Sequence, residues 1–255
     1  MRAAGLCTLR LCVLCSLCVL IAAAAAACNS TGGLFRQYEY EEEMYLSLDG
    51  SATIYVNSSI AALNALRGTS FDPRASAGID RESVRRYFTT STTRVGRVTT
   101  SRRSGRHYVH VRVETADVSA LGAEAPFAWS SYSLSRLGEM VVYKQAVDGR
   151  TSSQETGAGD GWAGDELVAF RVHIPSVVEY HNAGPDNLRR GNIVVYEQSL
   201  KDRLLGQPLE IEVRMQPRSI LYSTLILFAS MFAAVAALFG LVIWRVVRAG
   251  QKKGG

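Results

Sequence analysis

The stretch YEYEEEMYLSLDGSATIYV, Tyr38–Val56, decides how this chain folds. Tyr38, Tyr40, Met44, Leu46 and Leu48 alternate with Glu39, Glu41, Glu43, Tyr45 and Ser47, the period of a strand with one apolar face. Asp49-Gly50 then supplies residues that tolerate the left-handed region, so the chain turns back into Thr53–Val56 as a hairpin. Working outward, Ser58 or Ser59 can cap a short helix with Ile60, Leu63 and Leu66 on one side and Gly68 as its stop. Asp80 can cap a second, in which Val84, Tyr87 and Phe88 share a face. Phe71–Gly78, with Pro73 and small residues, reads as the loop between them.

Strands resume beyond the second helix. Thr92–Thr100 is rich in β-branched residues, and His107, Val109, Val111 and Val113 alternate with Tyr108, His110, Arg112 and Glu114 across a turn at Arg102–Gly105. Phe127–Leu137 can pair with Met140–Val147 across Gly138, and the Gly-, Ser- and Asp-rich segment 148–164 reads as a flexible loop. Leu167–Ile174, Val177–Tyr180, Ile193–Gln198 and Leu209–Met215 complete the set as antiparallel strands packing one face on a core. The expected fold is α+β: a curved, mostly antiparallel sheet of about eight to ten strands with two or three helices on one side.

Two apolar segments bracket that domain. Ile220 to Trp244 runs without a charged residue and is followed by Arg245, Arg248, Lys252 and Lys253. Its length exceeds the ~20 residues needed to cross a bilayer, and the basic flank predicts that residues 245–255 are a cytoplasmic tail. At the other end, Arg2 and Arg10 precede an apolar run and six alanines, Ala22 to Ala27, which predicts a signal peptide over residues 1–27. Ala25-Ala26-Ala27 satisfies an ordinary cleavage rule, whereas Ala26-Ala27-Cys28 resembles a lipoprotein box that would lipidate Cys28. Residues 28–219 are then an extracytoplasmic domain of a single-pass protein of the cytoplasmic membrane. Cys7, Cys12, Cys15 and Cys18 fall within the signal, so only Cys28 remains and no intrachain disulfide is expected.

Charge excludes one class of partner. Of 28 Lys and Arg, six lie in the signal and tail, which leaves 22 against 23 acidic residues and gives no nucleic-acid signature. Within the domain Arg81, Arg85, Arg86, Arg94, Arg97, Arg102, Arg103 and Arg106 oppose only Glu82, while Glu39, Glu41, Glu42 and Glu43 cluster early. Guanidinium forks suit phosphate, which makes these eight arginines the candidate site for an anionic head group. The same run also reads as a solvated face, or as cross-strand partners of the acidic strand.

Catalytic constellations are absent as motifs. No G-x-S-x-G, H-E-x-x-H or P-loop occurs, and His107 and His110, three apart on a strand, leave opposite faces. No enzyme activity, cofactor or metal is expected. At Leu46–Ala52, Ile174-Pro175, His181-Asn182 and Gly191–Gln198 the chain resembles the LppM family of bacterial envelope proteins, departing at Ser176 and Tyr196. The resemblance implies a signal, an α+β domain, a C-terminal membrane helix, and binding of envelope lipids or glycolipids without catalysis. The expected partners are membrane lipids, and the alternative is a protein-interaction subunit of an envelope complex.

Overall fold

A computed structural model describes residues 38–74, 76, 78–148, 162, 164–184 and 189–251. The expected signal peptide 1–27, Cys28, the 148–164 loop apart from Asp148, Trp162 and Gly164, and tail residues 252–255 lie outside them.

Strand β1 (Tyr38–Leu46) pairs antiparallel with β2 (Ala52–Ser59), with Met44 opposite Ile54. The turn between them closes through Ser47 and Ser51, with Gly50 at φ +91°. Helix α1 (Ile60–Arg67) follows at once: Ser59 Oγ accepts from the Ala62 amide, and Gly68 ends it in the left-handed region at φ +67°. Helix α2 (Arg81–Phe88) starts where Asp80 accepts from the Glu82 and Ser83 amides. These caps are the ones expected from the sequence. Strands β3 (Thr93–Arg103) and β4 (Arg106–Thr115) join through Ser104–Gly105, both at positive φ, the two-residue turn that matches strand twist.

A 3-10 helix (Val118–Ala123) leads to β5 (Ser130–Leu137), β6 (Met140–Val147), β7 (Leu167–His173), β8 (Ser176–His181), β9 (Arg189–Arg190) and β10 (Ile193–Ser199). Helix α3 (Leu200–Leu204), β11 (Leu209–Ser219) and helix α4 (Ile220–Gln251) complete the chain.

The α+β class, the mainly antiparallel pairing and the helices on one side are as expected. The strands divide between a seven-stranded sheet, β3-β4-β2-β1-β7-β10-β9, and a four-stranded sheet, β5-β6-β11-β8. One pairing, β1 with β7, is parallel, where the sequence reading had antiparallel strands. A parallel neighbour needs a long crossover, and here the whole passage through β5 and β6 in the small sheet supplies it. Ile174-Pro175 then hands the chain from the large sheet to the small one.

A continuous core joins the two sheets. Ile54, Val56, Val111 and Val113 of the large sheet meet Tyr143, Ile211, Val213 and Met215 of the small one, with Leu63, Val84 and Phe88 from the helices. The small sheet, α1 and α2 thus cover one face of the large sheet and leave the other open. Strand β11 passes into α4 without a linker: the Ile220 amide donates to Pro175 O at 3.0 Å, and Ser176 Oγ to Arg218 O at 2.6 Å. Ile220–Arg245 has a mean hydropathy of 2.6 and is long and apolar enough to cross a membrane; no part of its apolar window is buried.

Candidate functional site: a polar relay and cleft on the open sheet face

Each glutamate of the acidic run on β1 meets a basic side chain, and from Glu41 to Glu43 alternation decides which face it serves. Glu42 occupies the apolar register between Tyr40 and Met44 and points into the core. There it pairs with Arg67 at 2.8 Å, each side chain only 1% exposed. Tyr40 donates to the same carboxylate at 2.8 Å, and Tyr132 and Gln145 of the small sheet each donate at 3.2 Å. The Arg67 guanidinium lies 4.8 Å from the Trp129 ring centre and 5.1 Å from those of Tyr40 and Phe127, within cation–π range. Burial pushes the Glu42 carboxyl up to about 7, and the Gln145 and Tyr132 hydrogen bonds pull it back. The adjacent guanidinium, itself pushed down by burial, opposes proton uptake by Glu42. No bulk solvent reaches this node, which links the two sheets rather than meeting a ligand.

Glu41, one residue earlier, faces the open side and begins a relay across five strands. It pairs with Arg171 of β7, whose guanidinium lies over the Tyr38 ring. Asn57 Nδ2 on β2 donates to Glu41 Oε2 at 3.4 Å, so Asn57 Oδ1 is turned toward His110 Nδ1 on β4, 2.9 Å away. An acceptor at Nδ1 requires that nitrogen to carry the proton of a neutral imidazole. His110 Nε2 is therefore the acceptor for the Ser101 hydroxyl of β3, 2.8 Å away. Burial, and then the Arg103 charge, hold His110 below its ordinary value, which favours this neutral form.

The relay floors a cleft of about 190 Å³ lined by Tyr38, Glu41, Asn57, Ser101, Arg103, Tyr108 and His110. Its outer wall is the tip of the β3–β4 hairpin, which curls back over β1. Arg103 donates to Tyr38 O at 2.7 Å and lies 4.6 Å from the Tyr108 ring centre. Beside it Tyr108 donates to buried Glu39 at 2.6 Å, and Arg106 pairs with Glu39 at 3.2 Å and Glu166 at 3.8 Å. Glu166 immediately precedes β7, whereas Pro175, at the other end of that strand, receives the first amide of α4. Nine residues of extended chain separate them, about 30 Å. The cleft thus sits at the end of the sheet remote from the apolar helix.

The structure disperses the arginines singled out from the sequence. Arg85 and Arg86 pair on α2 with Glu82 and Asp80, and Arg94 with Glu114. Arg81 donates to Thr100 Oγ1 at 3.2 Å. Arg97 and Arg102 are exposed and make no ion pair among the described residues. Arg103 and Arg106 alone reach the cleft or the buried glutamate beside it. Of these eight, only Arg106 pairs with a glutamate of the acidic strand; Glu43 takes His173 at 2.6 Å instead, with His173 stacked on Tyr45.

Ser101, His110, Asn57 and Glu41 had no motif to announce them, because they come from four strands. The one signal they carry is membership of the polar register of each alternating strand. A second concavity, about 330 Å³, lies on the small sheet against Ser131, Ser133, Lys144 and Glu212, but there Lys144 and Glu212 satisfy each other at 3.2 Å. Among the described residues no group of His, Cys, Asp or Glu side chains is placed to hold a metal ion.

No family model and no curated protein matches the chain. Among solved structures, it is similar to the NMR structure of the folded domain of Mycobacterium tuberculosis LppM, with 14% identity and a TM-score of 0.37 over 72% of this chain and 94% of that one.

Proposed function

We propose that residues 28–219 form an extracytoplasmic domain tethered by the helix at Ile220–Trp244, and that it binds the polar head of an envelope lipid, glycolipid or other amphiphile. One observation supports this reading: the cleft between Tyr38 and Arg103 combines two aromatic walls, a guanidinium, an imidazole, an amide and a hydroxyl in one concavity. Aromatic faces beside converging donors and acceptors suit a hydroxylated or anionic head group. The cleft lies about 30 Å along β7 from the start of the anchor, so the head must project from the bilayer or leave it.

The full chain, extracted from its membrane in mild detergent and weighed by native mass spectrometry, should carry an adduct of discrete mass. Arg103→Gln should remove that adduct. A second reading, an interaction subunit, draws support from Val177 and Tyr180, 47% and 46% exposed on the edge strand β8 beside the anchor. Absence of a small adduct together with a stoichiometric protein partner would replace the first reading with the second.

A further inference from the structure

The relay on the open sheet face has a direction, and the direction has chemical meaning. Glu41 accepts from Asn57, Asn57 accepts from His110 Nδ1, and His110 Nε2 is left to accept from Ser101. A hydroxyl within hydrogen-bond reach of a neutral imidazole, itself oriented by a third group, is the arrangement of an activated nucleophile. From this geometry we infer that Ser101 is a nucleophile and that the cleft hydrolyses a carboxylic ester whose alcohol portion is polar.

Ser101 Oγ attacks the ester carbonyl carbon while its proton passes to His110 Nε2. The Asn57 acceptor steadies the imidazolium that forms. Arg103 lines the same cleft, and one of its nitrogens is fixed on Tyr38 O, so its guanidinium supplies positive charge for the oxyanion. The bond to the alcohol breaks as His110 returns the proton to the departing oxygen. Water, deprotonated by the same nitrogen, then cleaves the acyl-serine and regenerates the hydroxyl. No cofactor is consumed. The inference rests on the cleft admitting a ligand, as the binding reading does, and adds a covalent step to it.

The test is a fluorophosphonate probe applied to the full chain in detergent, with peptide mass spectrometry to find the adduct. The expected result is a single adduct on Ser101, absent from Ser101→Ala and formed about a hundredfold more slowly or worse in His110→Gln. Hydrolysis of p-nitrophenyl butyrate should disappear in Ser101→Ala while the melting curve of that variant stays with the wild type, since Ser101 is exposed. A wild-type chain that carries its amphiphile adduct yet leaves Ser101 unlabelled would overturn the nucleophile and keep the binding site. Equal labelling of wild type and His110→Gln would overturn the general base. Loss of amphiphile binding with Ser101 labelling intact would overturn the binding reading instead.

Discussion

Glu41 and Glu42 are neighbours on one strand, and each meets an arginine, yet they belong to different worlds. Glu42 is sealed between the two sheets with Arg67 and takes hydrogen bonds from Tyr40, Tyr132 and Gln145. Glu41 lies on the open face with Arg171, its side chain 15% exposed, and passes its influence through Asn57 and His110 to a solvent-facing serine. The pleat alone separates them. In the first site the surroundings make the charges indispensable to each other; in the second, water screens the pair and leaves its geometry to orient a neighbour.

The sharpest way to break this contrast is to remove one buried partner. Arg67→Met leaves a buried carboxylate without its counter-charge and should cost about 3–5 kcal/mol in guanidinium unfolding of the full chain in detergent. Glu42→Leu with Arg67→Met should recover most of that loss, because a matched apolar pair is often as stable as a buried ionic one. Failure of the double variant to recover would mean that the node supplies more than charge balance.

Tyr132→Phe tests the tie to the small sheet: deleting one hydrogen bond to the buried carboxylate should cost about 1.5–3 kcal/mol by the same measurement. On the open face, Glu41→Gln should cost about 1 kcal/mol or less, since its ion pair is partly solvated. A loss as large as that of Arg67→Met would erase the distinction between the faces.

The smallest effect is one of pH. His110 is held below its ordinary value in the folded chain, so the unfolded state takes up a proton first as pH falls through about 6.5. Its contribution to stability is thus present above that pH and is lost on acidification. His110→Gln should flatten that part of the pH–stability curve, and an unchanged curve would show that His110 titrates alike in both states.

Much of the architecture was legible because it is local. The alternation from Tyr40 to Leu46, the Ser59 and Asp80 caps and the stop at Gly68 depend on residues within one turn or one hairpin of each other, and the structure bears each of them out. At Tyr38–Glu39, by contrast, a register shift breaks the alternation, burying Glu39 and turning Tyr38 to the open-face cleft. The parallel contact of β1 with β7 was not legible, because it joins residues some 130 positions apart whose own patterns say nothing about direction. The site was hidden for the same reason. His110 lies directly opposite Asn57, and Asn57 opposite Glu41, only once the order β4-β2-β1 is known. Glu42 stood in an apolar register in plain view, but its meaning depended on Arg67, a helix end 25 residues away that no periodicity connects to it. The arginine run drew notice by composition, and composition is blind to the Asp80, Glu82 and Glu114 side chains that the fold sets beside it.

The junction at Ser219–Ile220 has a mechanical corollary. A strand that turns into a helix without a spacer, and whose first helical amide is latched to Pro175, is a welded joint rather than a swivel. A flexible ten-residue tether would let a domain roam roughly 17 Å around its post. Under the anchoring proposed above that wandering is removed, and the domain becomes a fixed mast whose cleft sweeps no volume of its own. On the proposed binding function, an amphiphile must then drift to the cleft, so lateral traffic of that ligand, and not searching by the domain, sets how often they meet.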